Sequence, residues 1–266
     1  MVKLYFLGTD KRSIYLKKMY EIEVESNNDI QIVDDLEMAD IVVTPTPFSK
    51  DRVHITGESI DILEFLPRCT GKIVIGGALG AFKREFEELN IEYVDLMDLD
   101  SLAYLNAIPT AEGAILKAME YTETTIHGLN VLVLGFGRCG KILADKLKGL
   151  NANVFCEARK EKDLASIKAL GYNVVELDKL QYILKDMDVI FSTIPARILG
   201  KEELKLLKRD VVIIDLASAP GSLDYEACVE LGVNAHLELG LPAKVAPKSA
   251  AEYLKQEIDK VIIRGK

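Results

Sequence analysis

The chain has 266 residues, 49% hydrophobic and 28% charged, a balance that excludes a disordered chain and leaves room for two ordinary cores. Its 33 basic and 42 acidic residues give a formal net charge of −9, which argues against a nucleic-acid or anionic-membrane binder, since both need a basic face. Four cysteines (Cys69, Cys139, Cys156, Cys228) stand far apart with no C-x-x-C, so no metal and no disulfide framework are expected, only free thiols in a reducing compartment.

The N-terminal apolar run lasts only a few residues before charges arrive, so it reads as a strand and not as a secretory leader. No stretch reaches the roughly 20 apolar residues of a membrane span. A cytoplasmic, soluble protein is expected.

In the first part, short β-branched runs at 3–7, 41–44, 72–75 and, more weakly, 91–94 alternate with helical candidates at 59–66 and 79–89. Thr44-Pro45-Thr46-Pro47 and Gly76-Gly77 close two of these strands with turn chemistry, and strand ends of this kind bind ligands in open parallel sheets. A helix is predicted from Pro109 to about Thr124, with Thr110 as its N-cap, bridging two domains.

The second part predicts six strands, at 130–134, 153–157, 173–175, 189–193, 211–215 and 234–237, separated by helices. Leu143, Leu147 and Leu150 share one helix face, and Gly171 and Gly232 read as helix stops. The expected architecture is α/β with two doubly wound domains, the second a six-stranded parallel Rossmann domain that binds NAD(P). The boundaries are 1–108 for a substrate-side domain, 109–126 for the bridging helix and 127–246 for the Rossmann domain. Residues 247–266, with a helix at about 249–263, are expected to pack back on the first domain.

Gly135-Phe136-Gly137-Arg138-Cys139-Gly140 is G-x-G-x-x-G between an apolar strand and an amphipathic helix. Gly135 permits a tight turn, Gly137 lets backbone approach a pyrophosphate, and Gly140 lets helix and strand pack closely. The first helical N–H groups, of Arg138 and Cys139 among others, then face the phosphates. At the end of the next strand the usual acidic ribose ligand falls on Ala158, followed by Arg159 and Lys160. A small residue followed by cations suits a 2′-phosphate and favours NADP, with Glu157 as the competing ribose contact if NAD is used. Thr193-Ile194-Pro195 and Asp215-Leu216-Ala217-Ser218 end two further strands and bring small residues to the nicotinamide side; Asp215 reads equally as a turn cap.

Between Gly240 and Ser249 lie two prolines and two lysines, Lys244 and Lys248, ahead of a helix. They read either as a solvent-facing connector or as cations converging on an anion. His54, His127 and His236 are poor catalytic candidates, and no nucleophile-base pair is visible.

Read in order, Asn106-Ala107-Ile108-Pro109-Thr110-Ala111-Glu112-Gly113, Thr125-Ile126-His127-Gly128, the glycine loop, Thr193-Ile194-Pro195, Asp215-Leu216-Ala217-Ser218 with Pro220-Gly221, and Gly240-Leu241-Pro242 with Val245-Ala246-Pro247-Lys248 resemble the family of the dipicolinate synthase A subunit. The resemblance runs from about residue 104 onward and is looser before it. It implies oxidation of dihydrodipicolinate to dipicolinate with NADP during sporulation, beside the flavoprotein-like B subunit of the same synthase. A homo-oligomer is expected. The chain departs from the family pattern at Ala219, in place of a basic residue, and at Ala243, in place of glycine. The carboxylate grip would then come from Lys248 or Arg197.

A small dicarboxylate is expected against Thr46, Gly77, Asn106 and Thr110, with Lys248 as the catalytic candidate. A product that becomes aromatic needs little acid–base help, so positioning carries the reaction. The other readings are a 2-hydroxy-acid dehydrogenase, whose usual Arg and His positions are unfilled, and a non-catalytic NADP-binding regulatory subunit.

Overall fold

The computed structural model describes residues 1–264, which divide into two compact units: 1–106 with 246–264, and 107–245.

In the first unit β1 (Val2–Phe6) leads into α1 (Lys11–Val24), whose start is capped by Asp10, and then into β2 (Ile30–Ile32). Next come β3 (Ile41–Val43), the short α2 (Ile62–Phe65), β4 (Ile73–Gly76), a 3-10 turn at Leu79–Phe82 running into α3 (Lys83–Glu88), and β5 (Glu92–Asp95). The five strands are parallel in the order β2-β1-β3-β4-β5.

Alternation along the strands explains the two cores. Ile41 and Val43 face α1, with Leu16 and Tyr20, whereas Val42 faces Phe65, Leu79 and Phe86. Every residue of β3 is therefore buried, as a strand covered on both faces must be.

Helix α4 (Asp100–Tyr121) begins nine residues before Pro109, which lies in its interior, so Pro109 does not start the helix and Thr110 is not its N-cap. An interior proline forfeits one backbone bond. A continuous buried stripe, Leu102, Ala107, Ala111, Ala114 and Ala118, offsets that loss through packing.

The second unit alternates β6 (Asn130–Leu134), α5 (Arg138–Gly149), β7 (Asn153–Ala158), α6 (Glu161–Ala169), β8 (Asn173–Glu176), α7 (Leu180–Ile183) and β9 (Val189–Ser192). It continues with α8 (Lys201–Leu204), β10 (Val212–Asp215), α9 (Tyr225–Leu231), β11 (Asn234–Leu237) and α10 (Leu241–Val245). Its six parallel strands run β11-β10-β9-β6-β7-β8, and the order reverses between β6 and β9. This is the Rossmann arrangement, with its ligand crevice at the carboxyl end of β6. Val131 and Val133 pack on α4 and α5, while Leu132 and Leu134 turn to the opposite face.

Helix α11 (Pro247–Arg264) returns to the first unit, where Ala251, Leu254, Ile258 and Ile262 join the core beneath α1, and Tyr20 donates to Asp259 at 2.6 Å. No helix among the described residues is long and apolar enough to cross a membrane, and none of their acidic, histidine and cysteine side chains cluster for a metal.

Candidate functional site

Two of the three loop glycines are required by the fold, each for its own reason, and the third is not. Gly135 has φ +92°, and a Cβ there would stand 2.7 Å from Thr193 Oγ1. A Cβ on Gly140 would fall on the carbonyl oxygen of Gly135, so this glycine sets how closely α5 approaches β6. A Cβ on Gly137 would meet nothing within 4 Å. Gly137 is thus free of any packing demand and borders open space, as a cradle for phosphate requires. No side chain caps α5, and its first turn holds no acidic residue, which leaves the positive helix end available to an anion.

Cys139 is half-buried in the first turn of α5, and burial pushes its thiol up to about 11, so it packs there as a neutral group. Burial likewise pushes the Cys69 and Cys156 thiols up to about 12 and that of Cys228 up to about 11. These four are packing residues, not nucleophiles.

At the end of β7 the side chain of Glu157 turns inward. It is 1% exposed; Oε2 accepts from the Gly135 N–H at 3.2 Å, and Oε1 has no protein partner. Burial raises its pKa, opposed by the Gly135 hydrogen bond and the nearby Arg159. The next residue, Ala158, supplies no carboxylate. Arg159 and Lys160 are exposed, and neither side chain makes a hydrogen bond or ion pair among the described residues. A buried orphan oxygen, an open glycine and two unengaged cations at adjoining strand ends fit a dinucleotide.

Thr193 donates from Oγ1 to the Leu134 carbonyl at 3.0 Å, and Ile194 packs over Gly135, so the end of β9 closes on the loop. Pro195 follows in the same turn. Asp215 is a turn cap. Its Oδ1 accepts from Ala217 N at 3.0 Å, and its Oδ2 from Ser222 N at 2.8 Å and Tyr225 Oη at 2.7 Å. The clamp fixes the segment carrying Ala217 and exposed Ser218. Sequence reading left Ser192 aside; its buried Oγ at the β9 end has no partner.

In the first unit Thr46 and Gly77 meet directly: a Cβ on Gly77 would collide with the Thr46 side chain, and Phe48 N donates to Gly77 O at 2.7 Å. Asn106 and Thr110 lie one turn apart on α4. Lys248 is exposed in the first turn of α11, without a hydrogen bond or ion pair among the described residues.

Lys244 is engaged within its own unit. It pairs with Glu238 at 3.4 Å, because its segment coils into α10 instead of forming an open connector. Leu241 of that helix is buried against Gly113, where a Cβ would lie 3.0 Å from Leu241 Cβ. Arg197 is likewise engaged, with Asp224 at 3.5 Å. His54 pairs with Asp51 on the surface, and His236 stacks on Tyr121.

A Rossmann sheet, a glycine loop of this construction and strand ends shaped for a nicotinamide nucleotide define an NAD(P)-dependent dehydrogenase-type oxidoreductase. Residues 106–231 match the family described as "D-isomer specific 2-hydroxyacid dehydrogenase, NAD binding domain". The chain is 34% identical over 221 residues to the dipicolinate synthase A subunit of Bacillus subtilis, covering 83% of this chain and 73% of that protein. The crystal structure of the dipicolinate synthase A subunit from Bacillus halodurans superposes with a TM-score of 0.87 at 29% identity, covering 98% of this chain and 97% of that one. Its counterpart from Bacillus subtilis gives 0.86 at 27% identity, over 99% and 96%. The chain belongs to the family of the dipicolinate synthase A subunit.

Proposed function

We propose that this chain oxidises dihydrodipicolinate to dipicolinate with NADP, in the cytoplasm of a sporulating cell and together with a flavoprotein-like second subunit. The observation that carries the reading is the end of β7 in a member of this family: Ala158 leaves room, and Arg159 and Lys160 are unengaged, where NAD-preferring sheets present a carboxylate. The bound nicotinamide would accept a hydride.

The chain's own residues hold and orient. Gly137 and the start of α5 take the pyrophosphate, Arg159 and Lys160 the 2′-phosphate, and the Asp215 clamp fixes Ala217 and Ser218 at the adjoining strand end. The substrate loses one hydride and one proton and becomes aromatic, so positioning supplies most of the catalysis. Thr46, Gly77, Asn106 and Thr110 are assigned to the substrate, with Lys248 as the cation that compensates its negative charge.

A 2-hydroxy-acid dehydrogenase is the second reading, favoured by the family match over 106–231. The purified chain, alone and with the second subunit, should form NADPH from freshly generated dihydrodipicolinate, with dipicolinate confirmed by mass. Turnover of 2-hydroxy acids and none of dihydrodipicolinate would establish the second reading. Cofactor binding without reduction on either substrate would mark a non-catalytic subunit.

A further inference from the structure

The carboxyl edge of the first sheet holds a buried cation without an anion. Arg12, the second residue of α1, is only 7% exposed, and burial lowers its pKa from the usual guanidinium value. Its Nη2 donates to the Thr46 carbonyl, and among the described residues no carboxylate oxygen lies within 4.0 Å. Asp10, the charge that acts on it, is already engaged: Oδ1 accepts from the backbone N–H of Arg12 at 3.0 Å and of Ser13 at 3.4 Å, and Oδ2 from Ser13 Oγ at 2.6 Å. Nε and Nη1 have no protein acceptor, yet they are not among the sealed polar atoms, so they border reachable space.

The position in the fold gives that space a meaning. From β1 the chain runs to β2 on one side of the sheet, whereas β3, the other neighbour of β1, leads to β4 and β5 on the opposite side. Open parallel sheets leave a ligand crevice at such a reversal, at the carboxyl ends of the strands. Small residues stand at these strand ends, and Glu58 Oε1 accepts from the Gly8 N–H at 3.3 Å. Gly8 follows β1, and Gly76 and Gly77 at the end of β4 press against Thr44 and Thr46, leaving no room for a Cβ.

We propose that this crevice is a carboxylate site in which the free side of the Arg12 guanidinium grips one carboxylate of the substrate, against Thr46 and Gly77. The assignment rests on the dicarboxylate reading given above. A guanidinium presents parallel N–H donors that match a carboxylate in two-point contact, and a buried one left without such a partner is costly. The Thr46 bond aims it. If Arg12 were only a buckle for the loop after β3, one acceptor would suffice and ligand charge would be immaterial.

The test compares two ligands on the full chain, with saturating cofactor, by calorimetry: pyridine-2,6-dicarboxylate and its neutral diamide. In Arg12→Met and Arg12→Lys, dicarboxylate affinity should fall at least tenfold relative to wild type, with diamide affinity unchanged. In wild type the dicarboxylate should also slow amide exchange over 8–13 and 44–48, a readout that needs no variant.

Equal losses for both ligands, or no loss and no exchange protection, would overturn the site and leave the dipicolinate reading standing. Failure of wild type to bind pyridine-2,6-dicarboxylate, with Arg12-dependent binding of a small carboxylate such as glyoxylate, would keep the site and discard that reading. If neither acid binds, the proposed site is wrong.

Discussion

Glu157 reaches back from the end of β7 to accept the backbone N–H of Gly135 at 3.2 Å, so the carboxylate at this strand end braces the glycine loop from within. Its buried oxygen Oε1 is left without a protein partner, and the ribose position one residue later is an alanine. On the proposed NADP reading, cofactor choice at this site turns on the exposed cations that follow.

Arg159→Ala should therefore weaken NADP binding at least about tenfold, because a charge-assisted contact to phosphate is worth roughly 1.5–3 kcal/mol. NAD binding and Tm should not move, since Arg159 makes no hydrogen bond or ion pair among the described residues. Equal losses for both cofactors in calorimetry would return the ribose contact to Glu157.

Gly137 and Gly140 should respond oppositely to an added side chain. Gly137→Val leaves Tm near wild type, because its Cβ enters open space, but abolishes dinucleotide binding. Gly140→Ala drives a Cβ into the Gly135 carbonyl and should cost about 1–3 kcal/mol in denaturant melts. Undiminished NADP affinity in Gly137→Val would contradict the phosphate-cradle assignment.

Because burial raises the Glu157 carboxyl, the folded chain holds that proton more tightly than the unfolded chain does. Its favourable contribution is full below the unfolded pKa and is lost as pH rises through the folded one. The Tm difference between Glu157→Gln and wild type should accordingly move in the variant's favour as pH rises from about 4 to about 8. A constant difference would mean that the carboxyl does not titrate in this range.

Asp215→Ala removes a fully buried acceptor of three hydrogen bonds. A loss of about 2–4 kcal/mol is expected, with weaker cofactor binding as the loop after β10 loosens. Urea unfolding and NADP titration of the same preparation measure both.

Lys248→Met tests the proposed substrate cation. KM for dihydrodipicolinate should rise by about tenfold or more with NADP affinity intact, since the lysine stands apart from the glycine loop in sequence and its side chain makes no hydrogen bond or ion pair among the described residues. A fall in kcat alone would give Lys248 a role in the chemical step.

The second sheet was legible because its strands are near-continuous apolar runs ended by glycine or polar turns; the spans predicted for β6 and β11 coincide with those observed. The first unit was less so. α1 escaped notice because its buried stripe is Arg12, Leu16 and Tyr20, polar at two of three positions, and β2 has only three residues with Gln31 at its centre. At Pro109 a strong local signal for a helix start yielded to the packing of an alanine stripe. The glycine loop was legible from spacing, because Gly135 and Gly140 answer backbone demands that the fold itself imposes. The inward turn of Glu157 and the burial of Arg12 could not, since both depend on contacts with residues distant in sequence.

The packing of α11 on α1 also bears on how the protein is made. Leu16 and Tyr20 find their partners Ala251, Leu254 and Ile258 only after the whole of the second unit has been translated. The first unit to leave the ribosome is thus the last to be finished, and for most of synthesis the Leu16 and Tyr20 side of α1 stays uncovered. The second unit takes no strand or helix from beyond residue 245, so it has everything it needs before the final helix emerges.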